Sequence, residues 1–478
     1  MMHTEIRSEE RLCTIPAAME SSTPIKKIIL FFIALFLFFV VKDGFTIGAV
    51  PQGQDPAAVQ TGLAILIFAS VLWFSEAIPL AVTALLVPLL AALCGVSGVK
   101  DSFSSFAHPL IFLLFGGFAL AAALAHHGLD RWIAHGALRL GKRRFYPTAI
   151  SLFFITAVLS MWISNTATTA LMIPVALGLI TSMKQIHDES FVARITPFLL
   201  LGVAYSASIG GIGMLIGTAP NALAAAHLNL SFSDWAKVGL PSVVILFPLL
   251  CVLLIVIFRI GKVPMMPTQE KRQSITPAAL ATLGIFILTL TGWFYSDSLA
   301  EWFGIKGSFN SLVAMTAVIT LIVLRLVHWK DIEQSVDWGV VILFGGGIAL
   351  SKVLSTTGTS LYLANGIRTL TDGWPLLAFI FVVILFILFL TEISSNTATT
   401  AIMIPIFAAV APHLGITEAK LVLPIAIASS CAFMLPIATP PNAIAYATGK
   451  ISQQQMVRIG LVLNLVFATV LTLLSTLL

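Results

Sequence analysis

SNTATTALMIP at residues 164–174 returns as SNTATTAIMIP at residues 395–405, with ten of eleven positions identical at an offset of 231. Each copy interrupts an apolar stretch, 145–182 or 375–410, too long for one crossing of a hydrocarbon core about 30 Å thick. A polar tip midway along such a stretch predicts a helical hairpin that dips into the membrane and returns to its own side. Downstream of each copy lies a second overlong segment, 195–226 and 417–448, broken near its middle by Gly and Pro. There, GTAPNALAAA from Gly217 and ATPPNAIAYA from Ala438 share six of ten positions. A third, weaker match is LFGG at Leu114 and at Leu343, read as close helix packing. A single Ser-Asn-Thr is common helix glue, and a single Gly or Pro only a kink. Paired interruptions at equivalent places in two halves mark transporter binding sites.

Working outward, 58% of the 478 residues are hydrophobic and 10% are charged, against roughly 25% charged in a soluble domain. That excludes an ordinary soluble protein, and apolar runs of helix length without strand alternation exclude a barrel. The net charge of +5 does not indicate nucleic acid, because Lys and Arg are scattered over loops instead of forming a stripe with aromatics. Cys13, Cys94, Cys251 and Cys431 have no metal or redox spacing and read as core residues. Residues 25–41 follow Lys26 and Lys27 and look like a signal peptide, yet no small-residue cleavage site follows. They are read as an uncleaved first helix.

The expected fold is an all-α polytopic membrane protein of two inverted repeats, with about 11 transmembrane helices, two re-entrant helical hairpins and two broken helices. Its divisions are a cytoplasmic tail (1–24), a first transmembrane half (25–260), a cytoplasmic linker (261–276) and a second half (277–478). With the amino terminus cytoplasmic, 19 of the 26 basic residues fall on the inside, as the positive-inside rule requires. Five crossings then separate the two hairpins, so they enter from opposite faces of the inner (cytoplasmic) membrane.

Broken helices supply the chemistry. A helix amino terminus at mid-membrane offers free N–H groups and about half a positive charge to an anion. Unwound carbonyls, helix carboxyl ends and the oxygens of Ser, Thr and Asn suit a hard cation such as sodium. Neither the Ser-Asn-Thr tips nor the Gly/Pro breaks hold Arg or Lys, the usual partners of a carboxylate, and an unpaired buried carboxylate is costly. Bound cations would supply the missing charge.

At these residues the sequence resembles the divalent anion/sodium symporter family, over essentially residues 25–478. The resemblance implies sodium-coupled transport of C4-dicarboxylates, citrate or related anions by a homodimer working through an elevator motion. Carried over by motif, Ser164, Asn165, Thr166, Ser395, Asn396, Thr397, Thr439 and Pro440 would bind substrate carboxylates. One sodium site would use Ser160, Ser164, Asn165 and Gly213. The other would use Thr391, Ser394, Asn396 and Ala438, with Ser394 and Ala438 giving carbonyls. The halves depart from one another where Ala219 stands for Pro440 and Gly217 for Ala438.

Glu76 and Glu392 are the candidate proton sites, since acids at membrane depth are functional by default; the alternative for Glu392, beside a hairpin tip, is that it only orders the tip. His108, His126, His127 and His135 are read as an interfacial group around one helix end, without metal-ligand spacing. An intramembrane hydrolase would need His-Glu-x-x-His or a Ser with a base, and neither appears. Hairpins from both faces argue against a channel. A sodium-independent dicarboxylate or citrate/succinate antiporter is the alternative among transporters. Succinate and malate are the expected substrates, and the protein is not read as an enzyme.

Overall fold

The computed structural model describes residues 24–44, 47–48, 50–140, 144–260, 275–305 and 307–476, without the side chains of 135–140. The tail at 1–23 and residues 261–274 of the expected linker lie outside them. Among the described residues there are helices and no strands.

The first quarter forms α1 (Pro24–Asp43), α2 (Pro56–Ser75), α3 (Leu80–Leu93), α4 (Pro109–His126) and the amphipathic α5 (Leu129–Leu140). Asp55 starts α2 by accepting the N–H groups of Ala57 and Ala58 at 3.2 and 3.3 Å, with Pro56 at the first helical position, where its missing N–H costs nothing. The first overlong segment is two helices, α6 (Phe145–Ser160) and α7 (Asn165–Lys184), meeting at the Ser-Asn-Thr tip. The second is α8 (Glu189–Ile212) and α9 (Ala219–Leu228), parted by the unwound residues 213–218. Next comes α10 (Phe232–Phe258), started by a reciprocal Ser231–Asp234 capping box.

The other half repeats the order. It holds α11 (Pro277–Phe294), α12 (Phe309–Val323), α13 (Trp338–Thr356) and α14 (Thr359–Leu370). A helix pair follows, α15 (Leu376–Ile393) and α16 (Asn396–Val410), then a broken pair, α17 (Ala419–Ser429) and α18 (Pro440–Ala447), and finally α19 (Gln453–Leu474).

Among the described residues, eleven helices are long and apolar enough to cross a membrane. The number equals the crossings expected, but the members differ. Both α15 and α16 are among them, whereas α3, α6, α12 and α17 are shorter apolar helices. Length alone does not separate a crossing from a hairpin arm.

The core is built around α8, whose apolar window is wholly buried. It packs against α6, α7 and α10. The corresponding helix α17 packs against α15, α16 and α19. Between the halves the packing crosses, with α18 against α7 and α8, and α9 against α16 and α17. Outside this core, α1 pairs with α2, α3 with α13 and α4 with α12. The LFGG glycines serve these contacts: a methyl on Gly116 would come 2.6 Å from Ala314 Cβ, and one on Gly346 would come 2.4 Å from Ala84 Cβ.

The four histidines do not share a helix end. His108 precedes α4 and accepts the Leu110 N–H at 3.3 Å, while His126 and His127 stand at its other end. There His127 donates to the Leu326 carbonyl at 2.7 Å and His126 lies 3.7 Å from Asp331. His135 falls within α5, where its side chain is outside the described set.

Candidate functional site

Each Ser-Asn-Thr tip is held by the helix that leads into it. Ser160, at the end of α6, donates to Asn165 Oδ1 at 2.6 Å, and Thr391, at the same register in α15, donates to Asn396 Oδ1 at 2.6 Å. Four residues into each following helix, Thr169 donates to the Asn165 carbonyl at 2.8 Å and Thr400 to the Asn396 carbonyl at 2.7 Å. Neither asparagine's Nδ2 donates to a protein group among the described residues. Each asparagine therefore turns its oxygen to a hydroxyl and leaves two N–H donors free.

The tips differ in their caps. Ser164 caps α7 by accepting the Ala167 N–H at 3.3 Å, whereas the Ser395 hydroxyl makes no capping bond. Ser164 and Thr166 are exposed, Asn165, Ser395 and Asn396 half-buried, and Thr397 buried. Asn165 lies directly on the first broken helix: a methyl on Gly211 would come 2.5 Å from Asn165 Oδ1. Thr391 reaches the second, donating to the Ser429 carbonyl at 2.9 Å. A hydroxyl has one proton, and here it faces two acceptors, so Thr391 Oγ1, Asn396 Oδ1 and the Ser429 carbonyl form an oxygen cluster short of hydrogen. That chemistry suits a hard cation.

Both breaks are fixed by an asparagine from the helix beyond. Asn221 Nδ2 donates to the Gly211 and Met214 carbonyls at 2.8 and 2.7 Å, and Asn442 Nδ2 donates to the equivalent Ala432 and Leu435 carbonyls at 3.0 Å each. Trp235 takes the Ile212 carbonyl at 3.0 Å, and Tyr205 of α8 takes the equivalent Phe433 carbonyl at 2.7 Å. The Gly213 and Met434 carbonyls, at one shared register, accept no hydrogen bond among the described residues. The register of Ala438 in the first half belongs to Gly217. Thr439 caps α18 by accepting the Asn442 N–H at 3.3 Å, with Pro440 at the first helical position.

The second break is the longer one. α17 stops at Ser429, four residues earlier in register than the end of α8 at Ile212. The cause is the Thr391-Glu392 pair, which stands where the first half has Ser160-Met161. An uninterrupted helix would join the Phe433 N–H to the Ser429 carbonyl. Thr391 takes that carbonyl, and Glu392 takes the N–H at 2.7 Å. Glu392 also accepts from the Met434 and Leu435 N–H groups at 2.9 and 3.0 Å and from Asn464 Nδ2 of α19 at 2.8 Å. The carboxylate, 2% exposed, orders the unwound segment. Glu76 ends α2 in the left-handed region, at φ 47°.

Sequence reasoning missed Asn221, Asn442, Asn464 and Tyr205. The first two stood in the second repeated motif, and their repetition was the available signal. Asn464 and Tyr205 act across 72 and 228 residues of chain, and nothing local marked them.

Residues 26–478 match the family model described as the sodium:sulfate symporter transmembrane region. An uncharacterized transporter of Haemophilus influenzae is 43% identical over 92% of this chain and 95% of its own. The sodium-dependent dicarboxylate transporter SdcS of Staphylococcus saprophyticus is 33% identical over 86% of this chain and 84% of its own. Among solved structures, the Alcanivorax borkumensis YdaH transporter is similar with a TM-score of 0.56 at 14% identity, covering 95% of this chain and 97% of that one. That likeness is one of fold. With helices that span the membrane, two bonded Ser-Asn-Thr tips and a family match over nearly its whole length, the chain belongs to the sodium:sulfate symporter family, the divalent anion/sodium symporters, and is a transporter, not an enzyme.

Proposed function

We propose that the protein is a sodium-coupled symporter that imports a divalent anion, a C4-dicarboxylate such as succinate or malate. The observation that carries this reading is the two-sided asparagine at each tip, with oxygen toward a hydroxyl and unpaired N–H groups facing away. Asn165 and Asn396 thereby serve a cation with one atom and a carboxylate with another. Ser164, Thr166, Ser395, Thr397, Thr439 and Pro440 complete the anion site. Ser160, Ser164 and Gly213 join Asn165 around one sodium ion, and Thr391, Ser394 and Ala438 join Asn396 around the other. The sodium dependence and dicarboxylate substrate of the SdcS relative support the same reading.

Energetics favour coupling. No Lys or Arg stands at either tip or break, and Glu392 adds a negative charge beside one of them. Moving a dianion inward against 100 mV costs about 4.6 kcal/mol, twice the charge–voltage work of about 2.3 kcal/mol. Two sodium ions cancel that charge, and the sodium gradient or a third ion drives accumulation.

The crossed packing of the halves supports an elevator. With α7 against α18, α9 against α16 and Tyr205 bonded to Phe433, the tips and breaks travel as one body past the outer helices. The inverted arrangement, a cytoplasmic amino terminus in the inner membrane and a homodimer belong to this proposal, the first two resting on the distribution of basic residues. Uptake of labelled succinate into proteoliposomes, with sodium replaced by choline and with citrate or sulfate as competitors, tests it. Sodium-dependent, succinate-saturable uptake is expected; equal uptake in choline would show an exchanger instead.

A further inference from the structure

A cavity of about 520 Å³ lies between the last turns of α13, the end of α9 and the arm of α16 that follows the second tip. Its floor is shut. A methyl on Gly347 would come 2.9 Å from Leu223 and 3.2 Å from Ala401, so nothing passes there in this conformation. Beside the floor stands Thr400, one helical turn beyond Asn396 and bonded to its carbonyl at 2.7 Å. The cavity therefore ends one turn short of the proposed anion site.

Its charges are unequal. His227 lies 3.2 Å from Glu418 and 3.2 Å from the Ser351 hydroxyl, so both of its ring nitrogens are engaged. Lys352 donates to the Asp101 backbone carbonyl at 3.1 Å and meets no carboxylate among the described residues. It is the only Lys, Arg, Asp or Glu among the residues that line the cavity.

We propose that this cavity is a vestibule that collects the dianion from outside before the floor opens, with Lys352 as its anion anchor. The proposal rests on the reading of the protein as a dianion carrier. A lysine at the tips would hold the dianion without sodium and uncouple the cycle. A lysine at an open vestibule only raises the local anion concentration, and salt screens its effect. α9 and α16 belong to the moving body and α13 to the outer helices, so one displacement both parts the floor and empties the vestibule.

Lys352→Gln and Lys352→Arg, compared with the wild type for initial succinate uptake into proteoliposomes at low and high ionic strength, test the idea. Lys352→Gln is expected to raise the succinate KM about fivefold at low ionic strength, with the gap closing in high salt. Its sodium half-activation stays at the wild-type value, and Lys352→Arg keeps the wild-type KM. A KM for Lys352→Gln equal to the wild type, or raised equally at both salt levels, overturns the proposal. So does a Lys352→Arg variant as impaired as Lys352→Gln, which would make the Asp101 contact structural. Ser351→Cys gives a second reading: succinate should slow its modification by a membrane-impermeant thiol reagent, and absent protection counts against the vestibule. If the wild type imports sulfate and not succinate, the substrate reading fails, and the same comparison run with sulfate still decides the role of Lys352. If it imports neither, both fall.

Discussion

Glu392→Gln tests the account of the second break most directly. Glu392 Oε1 accepts from Phe433, Met434 and Asn464, and Oε2 accepts from Leu435. Glutamine with its oxygen at the first position keeps three bonds but loses their charge assistance, about 1 kcal/mol each. Its amide nitrogen then faces the Leu435 N–H donor to donor, stranding a buried group at about 1–3 kcal/mol. Bonds within one network are not additive, so a total on the order of 3 kcal/mol is a fair expectation. If that energy maintains the unwound geometry of 430–439, it appears as lost affinity for what binds there. At 1.4 kcal/mol per factor of ten, apparent affinities for succinate and sodium should fall by about 10-fold to 100-fold. Sodium activation curves and succinate saturation in proteoliposomes measure the affinities, and fluorescence-detected unfolding in detergent measures stability. A variant that melts earlier but keeps both wild-type affinities would refute the reasoning, because the carboxylate would then stabilise the fold without setting the site.

Three further outcomes follow from the same geometry. Asn165→Ala and Asn396→Ala should each weaken succinate and sodium dependence together by about tenfold, the worth of one hydrogen bond to a charged group; an unchanged sodium curve in either counts against the two-sided asparagine. Asn442→Ala strands the Ala432 and Leu435 carbonyls and should lower the unfolding temperature and shift sodium activation to higher concentration, with Asn221→Ala acting the same way. Gly211→Ala places a methyl 2.5 Å from Asn165 Oδ1 and should abolish uptake in a protein that still elutes as one species in size-exclusion chromatography; full-rate uptake would show that Asn165 does not need its place against the broken helix.

The repeated tips and breaks were legible because their chemistry is written locally. SNTATT announces a helix start inside an apolar stretch, and Gly with Pro announces a break. What the spacing could not show is which polar groups those breaks use. Glu392 sits three residues before a tip, yet its four partners lie 41 to 72 residues on, so sequence left its role open between a proton site and an ordering group. The unequal breaks were hidden for the same reason, since they depend on Thr391 and Glu392 competing for the bonds of another helix. The histidines misled because their sequence nearness straddles α4, which carries His108 to the opposite end. Among the described residues, eleven long helices matched the expected count with a different membership, because α7, α15 and α16, arms of the two tips, are as long and apolar as crossings.

The crossed packing also fixes an order of events during synthesis. Asn396 follows Asn165 by 231 residues, and at about 5–20 residues per second the second tip leaves the ribosome roughly ten to fifty seconds after the first. Through that interval α7 lacks α18, α9 lacks α16, and the wholly buried α8 has no finished core around it. Unpaired backbone groups cost several kcal/mol each in hydrocarbon, so the first half has to stay shielded, by insertion machinery or by trapped water, until its counterpart arrives. A chain cut short between the two tips is thus not half a carrier but a segment that the membrane has no stable way to keep.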